Sequence, residues 1–277
     1  MLYKKKTMKI LKFDEFVNEG QYMPHYTTSS SWDDYEIRSK EDLQEKIQEI
    51  IDKTHPKKGD TIDLNHLDVS RVEDMSNLFF DYRGHIDLTD YNFDVSKWDV
   101  SSVRNMKWMF YECRNFNCDL SRWDVSCVED MHGMFDGCKN FNCDLSNWNV
   151  SMVKNMSYMF TYCEEFNSDL SSWNVSKVMD MESMFYNCEN FNCDLSRWDV
   201  SKVTDMHGMF HRCVSFKGDL SRWDVFNVKD MSYMFVKCMN FNCDLSKWNV
   251  SKMKDMHLMF DGCDSLEKLP DWYNEED

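Results

Sequence analysis

The sequence predicts an α/β solenoid: a stack of about eight 25-residue coils with one parallel sheet and an N-terminal capping helix. Three observations carry this. Trp98, Trp123, Trp148, Trp173, Trp198, Trp223 and Trp248 recur every 25 residues. Around them one phrase repeats, written from Phe116 as F-N-C-D-L-S-R-W-D-V-S-C-V-E-D-M-H-G-M-F-D-G-C-K-N. Within each phrase a period-2 step is followed by a stripe at helical spacing. A coil this short cannot bury its apolar face alone, so each needs neighbours above and below.

Along the chain, residues 1–37 are polar and irregular and read as a flexible N-terminal segment. Residues 38–60 hold the capping helix and a linker. Ser39 is the expected N-cap with Asp42 three residues on, and Leu43, Ile47, Ile50 and Ile51 share one face. His55-Pro56-Lys57-Lys58-Gly59-Asp60 breaks the chain before the repeats. The repeats occupy 61–265. In the first coil Leu67 stands where Trp belongs, and an insertion lies between Asp81 and Asn92. Residues 266–277 abandon the pattern and read as a C-terminal cap and acidic tail, with Pro270 unable to donate to a ladder.

Inside a coil, Arg122 to Ser126 reads as a short strand, because Trp123 and Val125 alternate with polar residues. Val128, Met131, Met134, Phe135 and Cys138 form a helical stripe. The residue before the first Met of each stripe is Asn105, Asp130, Asn155, Asp180, Asp205, Asp230 or Asp255, which suits a helix N-cap. Asp119, Asp144, Asp169, Asp194, Asp219 and Asp244 form an unbroken column. They read as structural caps accepting backbone N–H groups in a tight turn, with calcium as the alternative way to relieve stacked charge. The alternating column Asp99, Asp124, Asn149, Asn174, Asp199, Asp224, Asn249 suits a side-chain hydrogen-bond ladder.

Composition narrows the function. A net charge of −17 argues against nucleic acid, whose phosphates want a basic footprint. No apolar window is long enough to span a bilayer, and no signal peptide or lipobox cysteine is expected near Met1. The 12 cysteines fall largely in two columns. Cys113, Cys138, Cys163, Cys188, Cys213, Cys238 and Cys263 fill the first without a break. Ser168 and Gly218 interrupt the second, Cys118, Cys143, Cys193 and Cys243, so a framework of paired thiols is not expected. Buried small side chains explain the columns better than zinc, since neither the C-x2-C knuckle nor a matching His column is present. No phosphate loop, HExxH or GxSxG occurs, so no enzyme and no cofactor is expected. His132, His207 and His257 share a column with Lys107, Ser157, Glu182 and Ser232, which reads as solvated surface.

The pattern M-x-x-M-F-x-x-C-x-x-F-N-x-D-L-S-x-W-D-V-S-x-V-x-x-M resembles the repeat of BspA-like leucine-rich repeat surface proteins, in particular a subgroup of bacterial repeats of unknown function. The likeness covers about residues 61–265. It implies a right-handed leucine-rich-repeat-like solenoid and a role in adhesion or protein binding at a bacterial surface.

Two surfaces are candidates for such contacts. On the helix side Trp108, Tyr111, Tyr158, Tyr162, Tyr186 and Tyr233 vary against a uniform frame and suit a protein or glycan ligand. On the strand side the basic row Arg122, Arg197, Arg222 and Lys247 would draw an anionic partner. The functional classes left open are a protein-binding or adhesion scaffold, a structural spacer or virion decoration protein, and a glycan-binding module.

Overall fold

The computed structural model describes residues 36–80 and 87–274. The expected flexible segment lies outside them up to residue 35, as does residues 81–86 of the insertion. Helix α1 spans Lys40–Thr54. Ser39 caps it in a reciprocal box: its side chain accepts from the Asp42 N–H, and the Asp42 carboxylate accepts from the Ser39 N–H. Leu43, Ile47 and Ile51 are buried on its inner face. The helix stops at His55, which adopts the left-handed conformation and donates its N–H to Ile51.

Strands β1, Thr61–Asp63, and β2, Asn92–Asp94, pair in parallel. From there each repeat is built from turns. Neither the expected strand over Arg122–Ser126 nor the expected short helix over Met131–Cys138 forms. Trp123 donates to Leu120 O and Val128 to Val125 O, so the Trp segment is two successive turns. The Met–Cys segment is a run of turns too: Met134 donates to Met131 O, Asp136 to Gly133 O and Cys138 to Phe135 O.

Most backbone hydrogen bonds between repeats lie in or beside that second segment. Met131, Gly133, Phe135 and Gly137 donate to the carbonyls of Asn155, Ser157, Met159 and Thr161, one repeat further on. Isolated parallel bridges run through Asp74, Asn105, Asp130, Asn155, Asp180, Asp205, Asp230 and Asp255. The parallel ladder therefore sits on the side read as helical. From Met131 to Gly137 its inter-repeat N–H groups point towards the C-terminal end and the carbonyls that accept them towards the N-terminal end, whereas Glu129 and Asp130, just before them, donate back to Arg104 O of the preceding repeat. Helix α1 meets the carbonyl end with donors: Gln44 Nε2 donates to the carbonyls of Asn77 and Leu78.

Stacked rings fill the interior. From Trp123 to Trp223 the Trp rings of successive repeats lie 6.4 to 6.5 Å apart and within 2° of parallel, and each indole N–H donates to a carbonyl of the preceding repeat, as Trp148 does to Leu120. The Phe110, Phe135, Phe160 column is tighter, at 5.6 to 5.7 Å. Beyond the last full repeat, Trp272 extends the Trp stack, 6.2 Å from Trp248, and donates its indole N–H to Leu245 O.

Candidate functional site

The ladder segment alternates right- and left-handed turns, and this decides which side chains it presents. Trp108, Gly133, Tyr158, Ser183, Gly208, Tyr233 and Leu258 all have φ between 51° and 60°. Glu112, Gly137, Tyr162, Asn187, Arg212, Lys237 and Gly262 form a second such column, with φ from 58° to 80°. L-residues resist this region, at roughly 1 kcal/mol or more for a bulky side chain, and glycine does not. Because glycine fills four of these fourteen positions, Gly133, Gly137, Gly208 and Gly262, without altering the frame, the aromatic residues there are held against their backbone preference.

Those aromatics gather into clusters. Trp108 stands edge-on to Tyr111 at 5.0 Å and to His132 at 4.6 Å, with Tyr158 at 6.4 Å. Phe80 extends the group through Tyr111 at 5.3 Å. Further along, Tyr162 meets Tyr186 at 5.4 Å and Tyr186 stacks on His211 at 4.4 Å. Tyr233 lies between His207 and His257, 5.5 Å from each. The structure thus joins Trp108, Tyr111 and Tyr158 in one cluster, Tyr162 and Tyr186 in a second, and leaves Tyr233 in a third.

The histidines are not uniformly solvated, contrary to the sequence expectation. His132 is half-buried, and its Nδ1 lies 2.5 Å from Ser157 Oγ. Ser157 Oγ already donates to Asn155 Oδ1, so His132 Nδ1 carries the proton of that contact. Burial, followed by the nearby Lys107 charge, lowers the His132 pKa to about 4. His207 makes the same contact with Ser232, while His257 is exposed. The Tyr158 hydroxyl donates to Glu182, and burial and that carboxylate both raise its pKa.

Asp136 belongs to this surface and carries no sequence signal of its own. It is 9% exposed, and among the described residues no hydrogen bond or ion pair holds its carboxyl. Burial, then the Glu112 charge, pushes its pKa up to about 7. Glu112 folds back over Gly137: a Cβ placed there would stand 3.0 Å from Glu112 Cδ. Arg114 engages the other oxygen of Glu112 at 2.9 Å.

The rival row is exposed on the Trp side, at Arg122, Arg197, Arg222 and Lys247. Hydrogen bonds from the serine two residues on lower the pKa of Asp119, Asp194, Asp219 and Asp244, and the cation three residues on lowers each a little further, so the row stands among carboxylates. These aspartates, with Asp144 and Asp169, accept the N–H two residues on, as Asp119 does from Ser121. The alternating Asp and Asn column does likewise within its own repeat, Asp124 accepting from Ser126 and Asn149 from Ser151, rather than linking repeats. The side-chain ladder between repeats runs instead through Asn117, Asn142, Asn167 and Asn192, each Oδ1 accepting an N–H of the next repeat.

The first cysteine column is buried except at Cys263, which is partly so, and from Cys138 to Cys263 each thiol donates to a carbonyl of the preceding repeat, as Cys138 does to Phe110. In the second, Cys143 and Cys193 are buried and Cys118 and Cys243 partly so, and Ser168 replaces the sulfur as acceptor for Leu145 N–H. Among the described residues no group of three or more His, Cys, Asp or Glu is placed to hold a metal ion. The two best-formed depressions are open to solvent. One is lined by Asn142, Cys143, Asp144, Ser146, Asn167, Ser168 and Asp169, and the other lies between α1 and β1.

No curated protein and no solved structure matches the chain. The family described as Mycoplasma protein of unknown function, DUF285, matches residues 45–173 and again 163–273. Together these spans take in every full repeat, the turns of the ladder and the aromatic clusters, and the chain belongs to the DUF285 family.

Proposed function

We propose that this chain is a non-catalytic protein-binding scaffold of the BspA-like leucine-rich repeat type, a right-handed solenoid that meets its partner with the ladder face. One observation carries the reading: Trp108, Tyr158, Tyr162 and Tyr233 occupy left-handed backbone positions that glycine fills elsewhere in the same columns. Aromatic side chains kept at a conformational cost, on a rigid frame, are the anchors that interfaces use.

The outward rows of the ladder face carry Lys107, Arg212 and Lys237 against Glu112, Asp136, Glu182 and Asp261, and the ladder column itself adds Asp74, Asp130, Asp180, Asp205, Asp230 and Asp255. Both faces are thus acidic, and the aromatic residues are what single out the ladder face. No described helix is long and apolar enough to cross a membrane.

The test is capture from the source cell or its host with the full chain as bait. A second bait carries Trp108, Tyr158 and Tyr233 all changed to Ala, and a third carries Arg122, Arg197, Arg222 and Lys247 all changed to Ser. The proposal expects a partner retained by wild type and by the third bait and lost by the second. Loss from the third bait alone would move the site to the basic row. Capture of nothing by wild type would leave a structural spacer as the better account.

A further inference from the structure

The proposed ladder-face contact leaves the Asp136 carboxyl without a structural role. It is 9% exposed with neither hydrogen bond nor counter-ion among the described residues, on a surface where His132, Tyr158 and His207 are paired and only His211 Nδ1, in the same column, is likewise unpartnered. A buried carboxylate in that state is costly, and an isosteric amide or an apolar side chain would avoid the cost. In the same column the neighbouring repeats place Tyr111 and Thr161, which shows that the frame accepts uncharged residues there.

Its surroundings are those of a cation site. Glu112, from the preceding repeat, lies folded over Gly137 with one oxygen turned to Arg114 and the other 3.1 Å from where a Gly137 side chain would begin. The absence of a side chain at Gly137, at φ 80°, is what admits that carboxylate beside Asp136. Tyr111 precedes Glu112 directly, and the perpendicular rings of Trp108 and Tyr111 stand 5.0 Å apart next to the pair. Aromatic faces and carboxylates together favour an ammonium or guanidinium group.

The following repeat opposes Asp136 with Thr161 and Tyr162 and no charge. The nearby ionisable groups are Glu112 with Arg114 on it, Tyr111, and the buried thiols of Cys138 and Cys163, whose pKa values the Asp136 charge helps raise. Arg114 is spent on Glu112 and does not reach Asp136.

We propose that Asp136 and Glu112, beside Tyr111 and Trp108, form the seat for a Lys or Arg side chain of the protein partner. This rests on the ladder face being the recognition surface. The cation supplies the charge that the Asp136 carboxylate lacks, and the acidic field of a chain of net charge −17 brings basic segments towards it. Seating the cation requires Asp136 to be ionised, so below neutral pH a proton leaves as the cation arrives.

A hexa-arginine peptide, with hexaglutamine as control, is the probe, titrated calorimetrically into the full chain at 150 mM salt. Asp136→Asn is expected to weaken binding at pH 8 by about tenfold or more, the scale set by removing one charge-assisted partner. Asp119→Asn, on the Trp side, is expected to change it less than about twofold, as an exposed charge outside the seat. Lowering the pH from 8 to 6 should weaken wild-type binding about tenfold through the linked proton and leave Asp136→Asn unchanged. Equal weakening by both variants would show a general acidic field and overturn the proposal, as would wild-type affinity in Asp136→Asn. In the capture experiment, a partner held by Asp136→Asn but lost by the aromatic triple variant would overturn the cation seat and leave the recognition surface standing.

Discussion

The six-membered ring of the Trp108 indole occupies the space in which a Gly133 side chain would begin. The two residues are equivalent positions of successive repeats, both left-handed, at φ 55° and 58°. Trp108 can lie across its neighbour only because that neighbour has no Cβ. This places its outer face, and the edges of Tyr111 and His132, on the ladder side of the stack.

Gly133→Ala should therefore cost more than backbone strain alone. Left-handed strain contributes about 1 kcal/mol and displacement of the indole about as much again, so urea unfolding should report a loss of ~2 kcal/mol. Gly208→Ala, at φ 57°, meets Ser183 Oγ at 3.2 Å and the Tyr186 ring only at ordinary van der Waals distance, 3.7 Å, and should lose only the strain. Near-ultraviolet circular dichroism should change in the first variant and not the second. Equal losses would contradict the seating of Trp108.

Removing one indole from the Trp column should also be costly. Trp173 lies 6.4 Å from both neighbouring rings and donates to Leu145 O at 3.0 Å. Trp173→Phe leaves that carbonyl buried without its donor and removes part of the stack. A loss of ~2–4 kcal/mol is expected in denaturant unfolding.

Thiol chemistry should separate Cys127 from the columns. Cys127 is exposed, whereas burial pushes the pKa of Cys118 up to about 12 and that of Cys193 up to about 11. A thiol reagent at pH 8 should modify Cys127 rapidly in the native protein and the column thiols only on unfolding. Cys127→Ser should abolish the fast phase. Several fast thiols in that variant would contradict the burial of the columns.

Asp136→Asn should stabilise the protein, increasingly so as pH rises. The folded-state pKa of about 7 lies above the ~3.9 of an unfolded aspartate, so the native state binds the extra proton between those values. Wild type thus loses stability on this account from about pH 4 to pH 7, and the asparagine variant does not. The gap should reach a few kcal/mol above pH 7 and vanish near pH 4. His132 works oppositely: its lowered pKa means stability is lost as pH falls from about 6.5 towards 4. Thermal scans of each single variant from pH 4 to 8 separate the two, and a pH-independent gap for Asp136→Asn would contradict its environment.

Much of this was legible in the residues. The Ser39 and Asp42 pair and the Leu43, Ile47, Ile51 spacing specify α1 because helix capping and amphipathicity are local. The Trp, Phe and Cys columns repeat because each contacts its own equivalent. The Met131 to Cys138 segment misled because successive three-residue turns bring the same positions inward as a helix does. Asp130 misled similarly, since its carboxylate accepts the N–H of His132, two residues on, much as an N-cap would. The discriminating signal was glycine: Gly133, Gly137, Gly208 and Gly262 fall in the two columns that require positive φ. The aromatic residues of the candidate site stood out by their variation, but His132, His211 and Asp136 did not. Their burial depends on how rings from adjacent repeats lie across them, which no single repeat encodes.

The proposed recognition surface exists only where the ladder runs through the aromatic-bearing segment. Backbone amide hydrogen exchange, resolved by residue, tests this directly. Met131, Gly133, Phe135 and Gly137 donate between repeats, so their amides should exchange only on global opening, while those of Arg122 and Asp124, which have no backbone acceptor, should exchange orders of magnitude faster. Strong protection across Arg122–Ser126 with fast exchange at Gly133 and Gly137 would place the ladder on the Trp side and contradict the account.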